Sequence, residues 1–206
     1  MRPTKLEDQA QFYGASASQL QAEGRYSEAE PEYLRAFCLY EKAGLGETVD
    51  VATLFAGLGI MHLAQARKQE AGANLDRALA ILDRANGDFR TDRARILGIR
   101  ASLHVREGKW KIAEAEFKTA ISIADCEALI DPSELRQMLV NYAYVLRKFR
   151  RGKEARSLNA QAAAIQSPAV ANAMVDISGL RAKSKGSKPK DHGVKLTSGK
   201  FSAATS

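Results

Sequence analysis

The stretch Glu23-Gly-Arg-Tyr-Ser-Glu-Ala-Glu-Pro-Glu-Tyr-Leu-Arg-Ala36 sets the pattern from which the rest of the chain is read. Ala29 and Ala36 stand seven residues apart with the large Tyr33 between them. Stepping along in intervals of 42 finds the same small residue at Ala71, Ala113 and Ala155, and the second one at Ala78, Ala120 and Ala162. The large position repeats as Leu75 and Phe117 and breaks at Asn159. Twelve residues before the first alanine the chain is small again, at Ala17, Gly59, Ala101 and Ala143; sixteen before, it is large, at Tyr13, Phe55, Leu97 and Leu139. Four columns in register over three intervals mark a repeat.

Each unit reads as two helices. The first is amphipathic, as in Val51-Ala-Thr-Leu-Phe-Ala-Gly-Leu-Gly-Ile-Met-His-Leu; the second carries apolar residues at three- and four-residue steps, as in Ala113, Phe117, Ala120, Ile121 and Ala124. Gly24 and Gly108 fall where a tight turn needs a permissive residue. Ser27 and Glu30 predict a capping box, and Asp131-Pro132-Ser133-Glu134 an N-cap followed by a proline at the first helical position. Gly44 and Gly46 predict a helix stop near Ala43. Small residues at Ala17 and Ala29 let two helices cross closely, with Tyr13 and Tyr33 beside the crossing. One hairpin cannot bury its apolar faces alone, so four are expected to stack into a shared core.

Small-large-small columns on helix pairs resemble tetratricopeptide repeats. The likeness is closest over Glu23 to Ala36, with Glu41-Lys-Ala and Asp50-Val-Ala after it, and it is to the long 42-residue variety of kinesin light chains and many bacterial proteins. Asn141-Tyr-Ala-Tyr-Val-Leu-Arg with Glu154-Ala155 resembles the closing repeat of bacterial members. The resemblance implies an all-α, right-handed solenoid of helix-turn-helix repeats over residues 8–166, in units of about 10–51, 52–93, 94–135 and 136–166. It implies a scaffold that binds a protein or peptide segment on a concave face lined by the first helices, with no enzymatic activity and no cofactor.

Carried onto this sequence, the groove columns are Gln11, Thr53, Arg95 and Gln137 in one row, Ser18, Ile60, Ser102 and Tyr144 in a second, and Gln21, Leu63, Val105 and Arg147 in a third, with Arg106 and Lys148 one residue on. The groove is then small and polar at its N-terminal end and basic at the other. Arg95, Arg106, Arg147 and Lys148 suit the carboxylates of an acidic peptide, with Tyr144 as an aromatic anchor. The alternative is a plain solvated face. Of the asparagine column that lines kinesin-type grooves, Ala15, Gly57, Ile99 and Asn141, only Asn141 keeps the residue; the lysine and asparagine clamp of chaperone-binding members is absent at Gly14 and Ser18.

Charge divides the chain. The 206 residues carry a formal net charge of +7, from 31 basic and 24 acidic side chains. Seven of the basic residues and one acid, Asp191, fall between Gly179 and Ser206, which leaves the body near neutral. That tail is predicted to be disordered, because it has almost nothing apolar to bury. Its lysines suit sequence-blind contact with nucleic acid or an anionic membrane surface, although only Phe201 offers base stacking. The segment 167–178 reads as a short capping helix or, alternatively, as a sticky dimerising surface.

The remaining features point to packing. Apolar residues make up 45% of the chain and charged ones 27%, without an apolar run long enough for a membrane span or an apolar leader at the start. Cys38 and Cys126 are expected to be buried thiols in a cytoplasmic protein. His62 and His104 share a column but lack further metal-ligating residues at a helpful offset. Gly57-Leu-Gly59 lies mid-helix and is no phosphate loop, and Trp110 is expected to pack on its own turn.

Overall fold

Four left-handed residues punctuate the chain at intervals of 42: Gly24 (φ 76°), Ala66 (φ 62°), Gly108 (φ 77°) and Arg150 (φ 60°). Each ends the first helix of a hairpin and turns the chain into the second. The computed structural model describes residues 5–126 and 130–165, without the side chains of Asp125 and Cys126. Its helices are α1 (Lys5–Ala22), α2 (Tyr26–Lys42), α3 (Val49–Ala64), α4 (Lys68–Arg84), α5 (Arg90–Arg106), α6 (Trp110–Cys126), α7 (Pro132–Lys148) and α8 (Gly152–Ala164). They pair as four hairpins. The second helix of each packs on the first of the next, and α1, α3, α5 and α7 touch in sequence. The expected cap at 167–178, the tail at 179–206 and the side chain of Cys126 lie outside the described residues.

The small columns are buried without exception: Ala17, Ala29, Ala36 and their repeats are at most 2% exposed, with Gly59 completing the first set. A Cβ on Gly59 would stand 2.7 Å from Cγ of Leu75, so that crossing admits only glycine. Neighbouring hairpins interlock through one further column. Phe37 of α2 enters the groove of the second hairpin, 5.1 Å from the ring of Phe55, with the Arg77 guanidinium over both rings. Leu79 and Ile121 occupy the same column in the next two units and are buried.

Two start signals differ in outcome. Asp131 caps α7, accepting from the Ser133 amide at 2.7 Å, with Pro132 at the first helical position. The capping box is a correction: α2 begins at Tyr26, so Ser27 lies inside the first turn and caps nothing. Glu30 turns across to the second hairpin, 3.1 Å from His62 and 2.9 Å from Arg67. The stop at Gly44 is present, with φ 74° just beyond the C-cap Ala43.

Ala66 holds a conformation that costs a non-glycine residue roughly 1–2 kcal/mol. Glycine relieves this but loses about 0.5–1 kcal/mol more entropy on folding. Ala66→Gly is therefore expected to raise stability by about 0.5 kcal/mol, and Gly108→Ala to lower it by about 1 kcal/mol. Denaturant unfolding of the two variants beside the parent checks both signs.

Candidate functional site

The groove row Gln11, Thr53, Arg95 and Gln137 lies on the first helices, exposed at Gln11 and Thr53 and half-buried at Arg95 and Gln137. At the N-terminal end, Gln11, Gly14, Ala15, Ser18 and Thr53 border a shallow pocket of about 220 Å³. Its floor includes Tyr33, whose hydroxyl donates to Gln21 at 2.7 Å and lies 3.3 Å from Ser18. Ala10, Tyr40 and Leu54 line it too, so the pocket mixes polar side chains with apolar ones.

The other end is built differently from expectation. Arg95 does not stand free in the groove. Its Nε reaches both oxygens of Glu134 on α7, at 2.9 and 3.1 Å, and its Nη1 reaches Asp92 at 3.1 Å. Burial alone would lower its pKa, but the Glu134 bonds together with the negative charges of Glu134, Asp92 and Asp131 raise it. Ser102 and Asn141 are corrections as ligand contacts, because neither has exposed surface. Asn141 Nδ2 donates to Ser102 Oγ at 3.2 Å, and Gln137 Nε2 donates to Asn141 Oδ1 at 2.9 Å. These residues tie α5 to α7.

The third row is corrected as well. Leu63 and Val105 are buried, so their column faces a packing seam; Arg147, in the same column, is exposed at the end of the described array. Arg106 is half-buried and reaches back to the second hairpin, donating from Nη1 to the Leu63 carbonyl at 2.7 Å.

Tyr144 and Lys148 lie together at the end of α7, and Arg147, one residue before Lys148, is exposed. Trp110 joins them, and this was not legible from its position in a turn. Its ring lies 6.2 Å from that of Tyr144, across the boundary between the third and fourth hairpins, and not merely against its own turn. The Lys148 ammonium stands 5.4 Å from both ring centroids. An exposed cation held over two half-buried aromatic rings presents positive charge in a fixed place.

The histidines serve the seams. Asn74 Nδ2 donates to the Glu70 carbonyl at 2.8 Å and lies 3.0 Å from His62 Nδ1. The other ring nitrogen, Nε2, faces Glu30 at 3.1 Å. Burial would raise the Glu30 pKa, but the Arg67 and His62 bonds hold it below the usual carboxylate value. His104 Nδ1 is engaged by a different carboxylate, that of Glu116 at 2.8 Å, which also accepts from Arg100 Nε at 2.7 Å. Among the described residues, no group of three or more His, Cys, Asp or Glu side chains is placed to hold a metal ion, and no helix is long and apolar enough to cross a membrane. Cys38 is exposed, contrary to expectation: it faces outward from α2, where no earlier hairpin covers it.

The comparisons with known proteins agree with this architecture. The crystal structure of BtubC (BKLC) from P. vanneervenii matches with a TM-score of 0.69 at 20% sequence identity, over 86% of this chain and 74% of that one. The array fits a tetratricopeptide-like solenoid. At this identity the likeness speaks for the fold alone. No family model and no curated protein matches the chain.

Burial separates residues that hold the array from residues that face outward. Asn141→Ala removes the buried bonds that Asn141 makes to Ser102 and Gln137 and empties a fully buried site, and is expected to cost about 1–3 kcal/mol. Arg147→Ala is expected to change stability by less than about 0.5 kcal/mol. Urea unfolding followed by circular dichroism measures both.

Proposed function

We propose that the chain is a non-enzymatic interaction scaffold whose concave face takes an extended segment of a protein partner. The first helices offer a polar, small-residue floor at one end and a basic, aromatic end at the other. What carries the reading is the cluster at the close of α7, where Lys148 sits over the Trp110 and Tyr144 rings with Arg147 exposed beside it. A ring pair supplies apolar contact area, and two cations supply charge for carboxylates. Arg95 and Arg106 contribute less, since their guanidinium groups already bond within the array. The partner segment is therefore acidic and carries an apolar or aromatic residue. The test is fluorescence-polarisation binding of the full chain to acidic peptides with and without such a residue. Arg147→Glu with Lys148→Glu is expected to weaken binding at least tenfold while leaving the unfolding transition in place. Equal binding of neutral peptides, or no loss on charge reversal, would defeat the reading.

The charge of residues 179–206 favours a second reading. Its seven basic residues against one acid suit association with nucleic acid or an anionic surface. Retention of the full chain on single-stranded nucleic acid is expected to fall steeply as salt rises, and to vanish on removal of residues 179–206. Salt-independent retention would rule this out.

A further inference from the structure

Phe12 is the most exposed large apolar side chain among the described residues, at 69%. Its column is otherwise deeply buried: Leu54 is 7% exposed, Ile96 2% and Met138 0%. In those units the preceding hairpin covers the position; in the first unit nothing described does so. Beside Phe12 lies an open groove of about 480 Å³ between α1 and α2, lined chiefly by Tyr13, Pro31, Leu34, Cys38 and Leu39. Leu34 is itself 49% exposed. The Arg35 guanidinium covers the Tyr13 ring at 5.9 Å, as Arg77 covers Phe55 one repeat later. The equivalent groove of the second hairpin is the one that Phe37 fills. The first hairpin thus keeps, unfilled, the socket by which this array joins one hairpin to the next, with a phenylalanine projecting next to it. The rest of the same face has turned polar: Gln9 and Gln19 stand where later units carry Val51 and the buried Met61, Leu103 and Val145.

We propose that this end face is a self-association surface whose occupant is a second copy of the same chain. A face that bears both a knob and a socket is complementary to itself under a two-fold rotation, the commonest symmetry of soluble oligomers. With the two-fold axis along the helices, α1 of one copy lies over α2 of its partner, and each Phe12 enters the other's socket. Charge fits the same arrangement. Asp8 near the start of α1 and Lys42 at the end of α2 lie at one end of the antiparallel pair, exposed and outside the ion pairs seen among the described residues. The rotation sets each Asp8 against the partner's Lys42.

The experiment is sedimentation velocity on the full chain across a hundredfold range of concentration. The parent is expected to move from monomer to dimer. Phe12→Glu, at an exposed position that leaves the circular dichroism spectrum and unfolding transition unchanged, is expected to weaken association at least tenfold. Asp8→Lys and Lys42→Glu are each expected to weaken it, and the two together to restore it. A parent that remains monomeric throughout overturns the proposal. So does a Phe12→Glu variant that dimerises as well as the parent, because association would then run through another surface, such as residues 167–178. Failure of the charge swap to restore dimers overturns the two-fold arrangement.

Discussion

Two helices that cross with their backbones close together leave room for a hydrogen or a methyl group and for little else. Everything in this array follows from repeating that crossing four times. Ala17 against Ala29, and the matching pairs at each further interval, are buried because each hairpin closes around them. The larger residues then find places only beside the crossing, where Tyr33, Leu75 and Phe117 are buried in turn. Helix lengths, turn positions and the offset between hairpins are tied to that spacing. This is why a period of 42 survives when most other positions differ between units.

The columns that face the crossing were readable because sterics there tolerate so few residue types. So were the glycine turns at Gly24 and Gly108. That the same turn forms at Ala66 and Arg150 was not readable, since nothing local asks those residues to be left-handed. The turn is closed by backbone bonds, from the Arg67 amide to the His62 carbonyl and from the Arg151 amide to the Leu146 carbonyl, which engage no side chain. The Ser27 box misled for a related reason: the local pattern suits a cap, but the turn starts the helix one residue before it, and Glu30 gains more from the histidine and arginine of the next hairpin.

The candidate site was legible in part. A groove row read from one repeat is a statement about the face of an isolated helix, whereas exposure depends on the neighbouring unit. Ser102 and Asn141 sit in such rows and are covered by each other's helices. Arg95 carries charge, but two carboxylates within hydrogen-bonding distance leave it little to offer a ligand. Tyr144, Arg147 and Lys148 kept their surface because they lie near the end of the last first-helix. Trp110 joins them through a contact between two units that no single-unit pattern contains.

The hydroxyl of Tyr33 lies where a side chain at Gly57 would begin: a Cβ there would stand 2.5 Å from it. In the next units the positions equivalent to Gly57 hold Ile99 and Asn141, and those equivalent to Tyr33 hold Leu75 and Phe117. Each hairpin is thus cut to the shape of the one after it. Splicing the first unit directly onto the third would drive a phenol into an isoleucine. Although the repeats share a template, they are not interchangeable parts. Their order along the gene is itself a structural constraint, and loss of the second unit by recombination would leave a seam that does not close.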